Sequence, residues 1–167
     1  LIQSDGKGEP RRLTSDGEVF RFGAVWAPDS SKFVFADKTG SLWLHTLGED
    51  ASAGETKLVD RDPWTGSMNP SWSNDSRWIA YQRSGDEPPS THIRLHDTES
   101  GESTQVTAGM FGDDSPAFDR KGDWLFFSSG RSITNPMYED FGTTFIYDNS
   151  DVLIAVPLRA DVENPFL

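Results

Sequence analysis

The chain has 167 residues, no cysteine, and 27 Asp and Glu against 15 Lys and Arg, a formal net charge of −12. Such a surface repels nucleic acid and anionic membrane, so neither is an expected partner, and without thiols there is no disulfide framework and no thiolate zinc site. The length allows a real core, since chains near 150 residues bury about 68–70% of their unfolded surface, and no signal peptide or membrane-length apolar run is visible.

The chain lacks a starting Met and opens inside what reads as a strand, the pattern of a piece of something longer. Residues 1–4 and 11–14 are expected to be the last two strands of a preceding unit, with Gly8-Glu9 in the turn between them. From Val25 onward one element is written three times. It reads Val25-Trp26-Ala27-Pro28-Asp29-Ser30-Ser31-Lys32-Phe33-Val34-Phe35, then Ser71-Trp72-Ser73-Asn74-Asp75-Ser76-Arg77-Trp78-Ile79-Ala80-Tyr81, then Ala117-Phe118-Asp119-Arg120-Lys121-Gly122-Asp123-Trp124-Leu125-Phe126-Phe127. The opening aromatic stands at 26, 72 and 118, two equal steps of 46 residues. A period of about 40–50 residues marks a stacked or radial array. A β-rich unit with a central turn points to propeller blades rather than helical solenoids.

Four strands are predicted per unit. The first carries the aromatic. A tight turn follows at Asp29-Ser30, Asp75-Ser76 and Lys121-Gly122, residues that bond the backbone or tolerate unusual φ. Second strands at 33–35, 78–81 and 124–127 are near-continuous apolar runs, as expected of strands covered on both faces. Third strands are predicted at 42–45, 92–96 and 152–156, and weaker fourth strands at 57–59 and 104–107. Gly54-Glu55 and Gly101-Glu102 precede those fourth strands, where Gly supplies positive φ. No helix pattern is visible. The fold class is therefore all-β, a β-propeller fragment of about three to three and a half four-stranded antiparallel blades. Its expected units are 1–22 (the end of a preceding blade), 23–67, 68–112, and a modified last blade at 113–167.

The last unit departs from its siblings in a long insertion, 128–150, between its second and third strands. Loops of this length in a compact domain are usually functional or disordered. Tyr138, Phe141, Phe145 and Tyr147 argue for an ordered contact with a neighbour or a cavity wall, with covering its own blade edge as the plain alternative.

Chemistry-bearing residues are few. His45 and His96 follow Leu44 and Leu95 in equivalent third strands, and such recurrence favours a structural role. His92 and His96 share one strand face, but no third metal ligand stands at a telling spacing. The acidic groups Asp60-Arg61-Asp62, Asp113-Asp114 and 148–151 precede strands, read as turn caps, and none has EF-hand spacing. No nucleophile elbow is present. No catalytic residue, metal or cofactor is expected in this chain.

The repeated W-S-P-D-S-like pattern resembles the blades of TolB, prolyl-oligopeptidase-like and tricorn-protease propellers. The later segments are more specific. Asp114-Ser115-Pro116-Ala117-Phe118-Asp119, then Lys121 to Phe127, resembles a tricorn-type blade. The stretch from Arg131 to Tyr147 with Asn135-Pro136-Met137-Tyr138 resembles the long insertion of that family's last seven-bladed-propeller repeat. Val156-Pro157-Leu158-Arg159-Ala160-Asp161, ending Asn164-Pro165-Phe166, resembles the end of that propeller. Arg120 and Lys121 depart from the turn's usual Pro and Asp.

The resemblance to the tricorn protease family implies a large, oligomeric, cytoplasmic serine peptidase whose catalytic residues follow the propeller. This chain would be a non-catalytic part that guides or filters peptides and docks neighbouring domains. In propellers the first strands line a central channel. The expected channel residues are therefore Arg21, Phe22, Trp64, Ser67, Met68, Phe111, Asp113 and Asp114. Trp64 is the sharpest, because it lies in a turn-rich stretch outside the strand pattern and an aromatic can grip peptide without sequence preference. Its plain alternative is to cap the gap between blades. Trp26, Trp72, Trp78 and Trp124 are read as blade-packing residues. A TolB-like scaffold with no peptidase attached is the competing class, and a prolyl-oligopeptidase-type parent a third. Open blade edges also predict self-association, with two copies closing a ring of about seven blades.

Overall fold

The computed structural model describes residues 1–2, 5–15, 17–51, 53–87, 90–132, 138–140, 144–146 and 150–164, with 51, 138–140 and 144–146 described by their backbone alone. The described residues form antiparallel sheets, with one short 3₁₀ turn at Glu49–Ala51 and no α-helix. The first sheet is a meander of β1 (Val25–Trp26), β2 (Lys32–Ala36), β3 (Ser41–Thr46) and β4 (Glu55–Arg61). The second repeats it with β5 (Ser71–Trp72), β6 (Trp78–Ser84), β7 (Thr91–Asp97) and β8 (Ser103–Gln105). The third contains β9 (Asp113–Phe118), β10 (Trp124–Ser129) and β13 (Val152–Pro157), three described strands where four were expected. Between β10 and β13 the insertion forms a two-stranded hairpin of β11 (Tyr138–Asp140) and β12 (Thr144–Ile146). Phe141 and Tyr147, two of its predicted contact residues, lie outside the described residues, while Tyr138 and Phe145 are ladder positions.

The central turns form as their residues require. Ser30, Ser76 and Gly122 adopt φ of 61, 60 and 76° and donate to the carbonyls of Ala27, Ser73 and Asp119. In the first two turns Asp29 and Asp75 accept the N–H two residues on, from Ser31 and Arg77. The third turn lacks that aspartate. There Asp119 takes over, accepting from the N–H groups of Lys121, Asp123 and Trp124. The Gly-Glu turns also form, with Gly54 and Gly101 at φ 60 and 77°.

Of the two strands expected within 1–22, Gln3 and Ser4 lie outside the described residues. Leu1 and Arg11 exchange both backbone hydrogen bonds, at 2.8 and 2.6 Å, and Arg21 makes an isolated bridge with Asp37. No named strand occurs there among the described residues. A single exchanged pair does not propagate into a ladder.

The 46-residue step is legible in side-chain direction. Successive strand residues point to opposite faces. Ile79 and Tyr81 on β6 pack toward the first sheet, in a cluster with Val34, Leu42, Leu44 and Trp72. Ala80, between them, packs toward the third sheet with Ile93, Leu125 and Phe127. All three consecutive β6 residues are fully buried, because β6 has a sheet on each side. On β10 burial alternates instead: Leu125 and Phe127 are buried against the second sheet while Trp124 and Phe126 are only half-buried. The three repeat aromatics differ in the same way. Trp72 is 7% exposed, Phe118 is half-buried, and Trp26 is 40% exposed, packed at a 50° tilt against Phe33 with 4.8 Å between ring centroids. Their strand positions are equivalent, and Trp26 and Trp72 differ only in their neighbours.

Candidate functional site: a groove where the three sheets meet

Three segments, one from each sheet, converge on one groove of about 560 Å³. Phe22, Gly23 and Val25 reach it from the first sheet, residues 65–70 from the lead-in to β5, and Ser115 and Pro116 from β9. Ser115 and Pro116 arrive there through a β-bulge. Asp114 pairs with Ser128 and Ala117 with Phe126, so two residues of β9 stand opposite Phe127 alone. Bulges bend a strand and re-aim its side chains. Ser115 sits at φ 54°, in the left-handed region that costs a residue with a Cβ.

Of the predicted channel residues, the groove brings together Phe22, Ser67 and Met68. Phe22 is 52% exposed, with Phe20 edge-on at 5.5 Å. Ser67 is exposed and donates to Asn69 Oδ1 at 2.6 Å. Met68 borders the groove but is 1% exposed, so its side chain belongs to the core beneath. The other five lie elsewhere. Arg21 lies over the Phe35 ring at 4.8 Å. Phe111 is half-buried under the Arg131 guanidinium at 5.2 Å. Asp113 is 1% exposed and accepts from Ser129 Oγ at 2.5 Å, so it is a buried anchor of β9. Asp114 is half-buried in the β9–β10 ladder.

Trp64 lies outside the groove lining and is 55% exposed. Its indole Nε1 donates to Gly85 O at 3.1 Å, bridging the end of the first sheet to the second. Asp62 fixes that bridge. Its carboxylate is 2% exposed and accepts from the N–H groups of Trp64, Gly66 and Ser84 at 2.9, 2.9 and 2.7 Å. Burial pushes this carboxyl's pKa up, but the three amide donors outweigh it and hold the group below its ordinary value. The acidic pairs 60–62 and 113–114 also differ from expectation in place: Asp60 lies inside β4 and Asp113 and Asp114 inside β9, rather than before a strand. Asp60 accepts from Tyr81 Oη at 2.8 Å and stands 3.4 Å from both Arg83 and Arg94.

The histidines are framework. His45 and His96 are buried, and their Nδ1 atoms lie 2.8 and 2.9 Å from Thr56 Oγ1 and Ser103 Oγ on the facing fourth strands. Burial pushes the pKa of both below the ordinary imidazole value, and that of His92 as well, where Arg83 and Arg94 add to the effect. Among the described residues no group of three or more His, Asp or Glu could hold a metal.

Asn69, Ser115 and the Gln82 behind them escaped the sequence reading. Gln82 Oε1 accepts from Ser115 N at 2.8 Å and from Asn69 Nδ2 at 3.3 Å, joining the second sheet to the bulge of the third. Gln82 follows Tyr81 as the first polar residue after an apolar run, which was its one signal.

No family model matches the chain. It is 32% identical over 142 residues to "Tricorn protease homolog 1" of Streptomyces coelicolor, covering 84% of this chain and 13% of that protein. It is 31% identical over 166 residues to "Tricorn protease" of Thermoplasma volcanium, covering 96% and 15%. The chain thus spans about one-seventh of the length of these curated relatives. Among solved structures, the crystal structure of the tricorn protease aligns with a TM-score of 0.78 at 22% identity, over 96% of this chain and 15% of that one. TolB from Acinetobacter baumannii aligns with a TM-score of 0.58 at 20% identity, over 85% of this chain and 34% of that one. Both structures share the propeller fold of stacked antiparallel sheets. The chain is a tricorn protease homologue and forms part of the β-propeller of such a protein.

Proposed function

We propose that this chain is the non-catalytic propeller portion of a tricorn-like serine peptidase, and that its groove guides or filters peptides on their way to or from the proteolytic chamber. The observation that carries the reading is the convergence of segments from all three sheets on one open groove lined by Phe22, Ser67, Asn69 and Ser115. The same reading divides the chain into 1–22, 23–67, 68–112 and 113–167 and gives the 128–150 insertion to contacts with neighbouring domains of the parent. It also assigns self-association to the isolated chain, since Phe20, Phe22, Val25 and Trp26 on the first sheet's side and Leu153 on the third are exposed. A TolB-like scaffold without a peptidase fits less well, because the structural match to the tricorn protease is tighter over more of the chain.

The test is a saturable binding measurement with a fluorescein-labelled neutral decapeptide, followed by photo-crosslinking from the same peptide. Labelling should fall at 22–25, 65–70 and 115–116, and Phe22→Ala should weaken binding. Labelling confined to other surfaces, or no saturation, overturns the passage.

A further inference from the structure

The groove is electrically quiet in a chain of charge −12. Among the described residues the one ionisable group along its walls is Asp37, and that carboxylate is already occupied. It accepts from Thr39 N at 2.8 Å, Thr39 Oγ1 at 2.5 Å, Ser41 N at 3.4 Å and Trp43 Nε1 at 2.7 Å. What the groove presents instead are neutral groups held stiffly. Asn69 and Ser115 are pinned to a single oxygen, Gln82 Oε1, and Ser67 Oγ is pinned to Asn69. Thr65, Asn69 and Ser115 all line the groove with φ of 55, 38 and 54°. Left-handed backbone at residues with a Cβ is unfavourable and persists only where the surroundings over-determine it.

A hydroxyl and a carboxamide each both donate and accept. An extended peptide offers an N–H and a C=O at every residue, whatever its side chains. Contacts to the main chain give affinity, and sequence preference needs separate side-chain pockets or charges. Resting on the reading of the groove as a peptide passage, we propose that it recognises the extended main chain through Ser67, Asn69 and Ser115, blind to side-chain charge. Gln82 is the positioning residue that fixes two of the three.

The test uses the full chain and three labelled decapeptides. One alternates Ala and Ser, a second has two Ser replaced by Lys, and a third has two Ser replaced by Asp. Salt is set near 300 mM so that the −12 surface is screened over a few ångströms and only groove contacts discriminate. The three dissociation constants should agree within about threefold, and methylation of alternate backbone nitrogens should weaken binding at least about tenfold. Gln82→Met should weaken all three alike by about threefold to tenfold. Gln82→Glu, which keeps an acceptor for Ser115 N, should restore the Ala/Ser peptide while still penalising the Asp peptide. Should Gln82→Met disturb folding, the exposed Ser67→Ala should give a uniform loss of about threefold. A spread of more than about tenfold with peptide charge, or indifference to backbone methylation, overturns main-chain recognition and leaves the passage standing. Failure of all three peptides to bind overturns both.

Discussion

The chain contains the same sheet-to-sheet junction twice, once closed and once open. Between the first and second sheets, Trp72 fills the space and donates from its indole to Val25 O at 3.0 Å. Ser76 Oγ accepts from Asp29 N at 3.0 Å, and the Lys32 ammonium lies 6.0 Å from the Trp72 ring and donates to Thr98. Between the second and third sheets the equivalent residues are Phe118 and Gly122. Neither an indole N–H nor a hydroxyl is available there. Asn74 instead reaches across to the carbonyls of Asp119 and Arg120. A cavity of about 460 Å³ remains, floored by Trp78, Leu95, Phe118 and Leu158. The repeat therefore fixes the docking mode, while one ring and one hydroxyl decide how tightly two sheets close.

Breaking the closed junction should have the largest effect. Trp72→Ala removes a ring from a residue only 7% exposed, together with its bond, and should cost about 3–5 kcal/mol in a denaturant titration. Phe118→Ala, at a half-buried site already beside a cavity, should cost visibly less. Equal losses would show that the cavity closes in solution.

The equivalent Gly turns separate next. At Gly101 (φ 77°) an added Cβ meets nothing within 4 Å, so Gly101→Ala should cost only about 1–2 kcal/mol for its backbone angle. At Gly54 (φ 60°) it would stand 1.9 Å from Thr46 O, so Gly54→Ala must also distort the β3–β4 turn. Its thermal midpoint should fall well below that of Gly101→Ala, and matching midpoints would remove the steric argument.

Acidification should act in two stages. The folded pKa values of His45, His92 and His96 are depressed, so their contribution is complete above about 6.5, the unfolded imidazole value. It is lost as pH falls below that toward the folded values, because only the unfolded chain takes up the protons. Asp37, Asp62 and Asp119 are depressed too and contribute above about 3.9, with loss only at lower pH. Thermal midpoints should decline first below about pH 6.5, and His96→Gln should flatten that first stage. A flat profile down to about pH 4.5 would contradict burial of the imidazoles.

The smallest expected change is a gain. Phe118→Trp copies the closed junction into the open one and should add about 0.5–1 kcal/mol by filling the cavity. A loss would mean that Leu158 and Trp78 cannot admit the larger ring.

The strands were legible because their signals are local and repeated. The aromatic at each step of 46, the turn at Ser30, Ser76 and Gly122, and the Gly-Glu pairs each state a backbone requirement in a few letters. The groove was only half legible. Phe22 and Ser67, chosen by the rule that lead-in segments face a propeller's channel, line the groove. Asp113 and Asp114 were chosen by the same rule but lie on the far side of a bulge, where the extra residue shifts the strand's alternation and gives the groove to Ser115 and Pro116. No composition signal marks that bulge. Trp64 stood out as an aromatic outside the strand pattern, and the sequence carried no sign that its indole would donate to Gly85 across the two sheets. At 1–14 the Gly8-Glu9 pair, in register with Gly54-Glu55 and Gly101-Glu102, was the signal for a strand pair, and among the described residues Leu1 and Arg11 exchange both backbone hydrogen bonds across it.

Ile79 and Ala80 are adjacent letters that answer to different partners, the first to Val34 and Trp72, the second to Leu125 and Phe127. Energetic coupling follows contact rather than sequence proximity. A double-mutant cycle should therefore link Ile79 with Val34 but not with Leu125, and Ala80 with Leu125 but not with Val34. A middle strand built this way can drift on one side while the other stays under constraint, so each boundary of the array is free to diversify by itself.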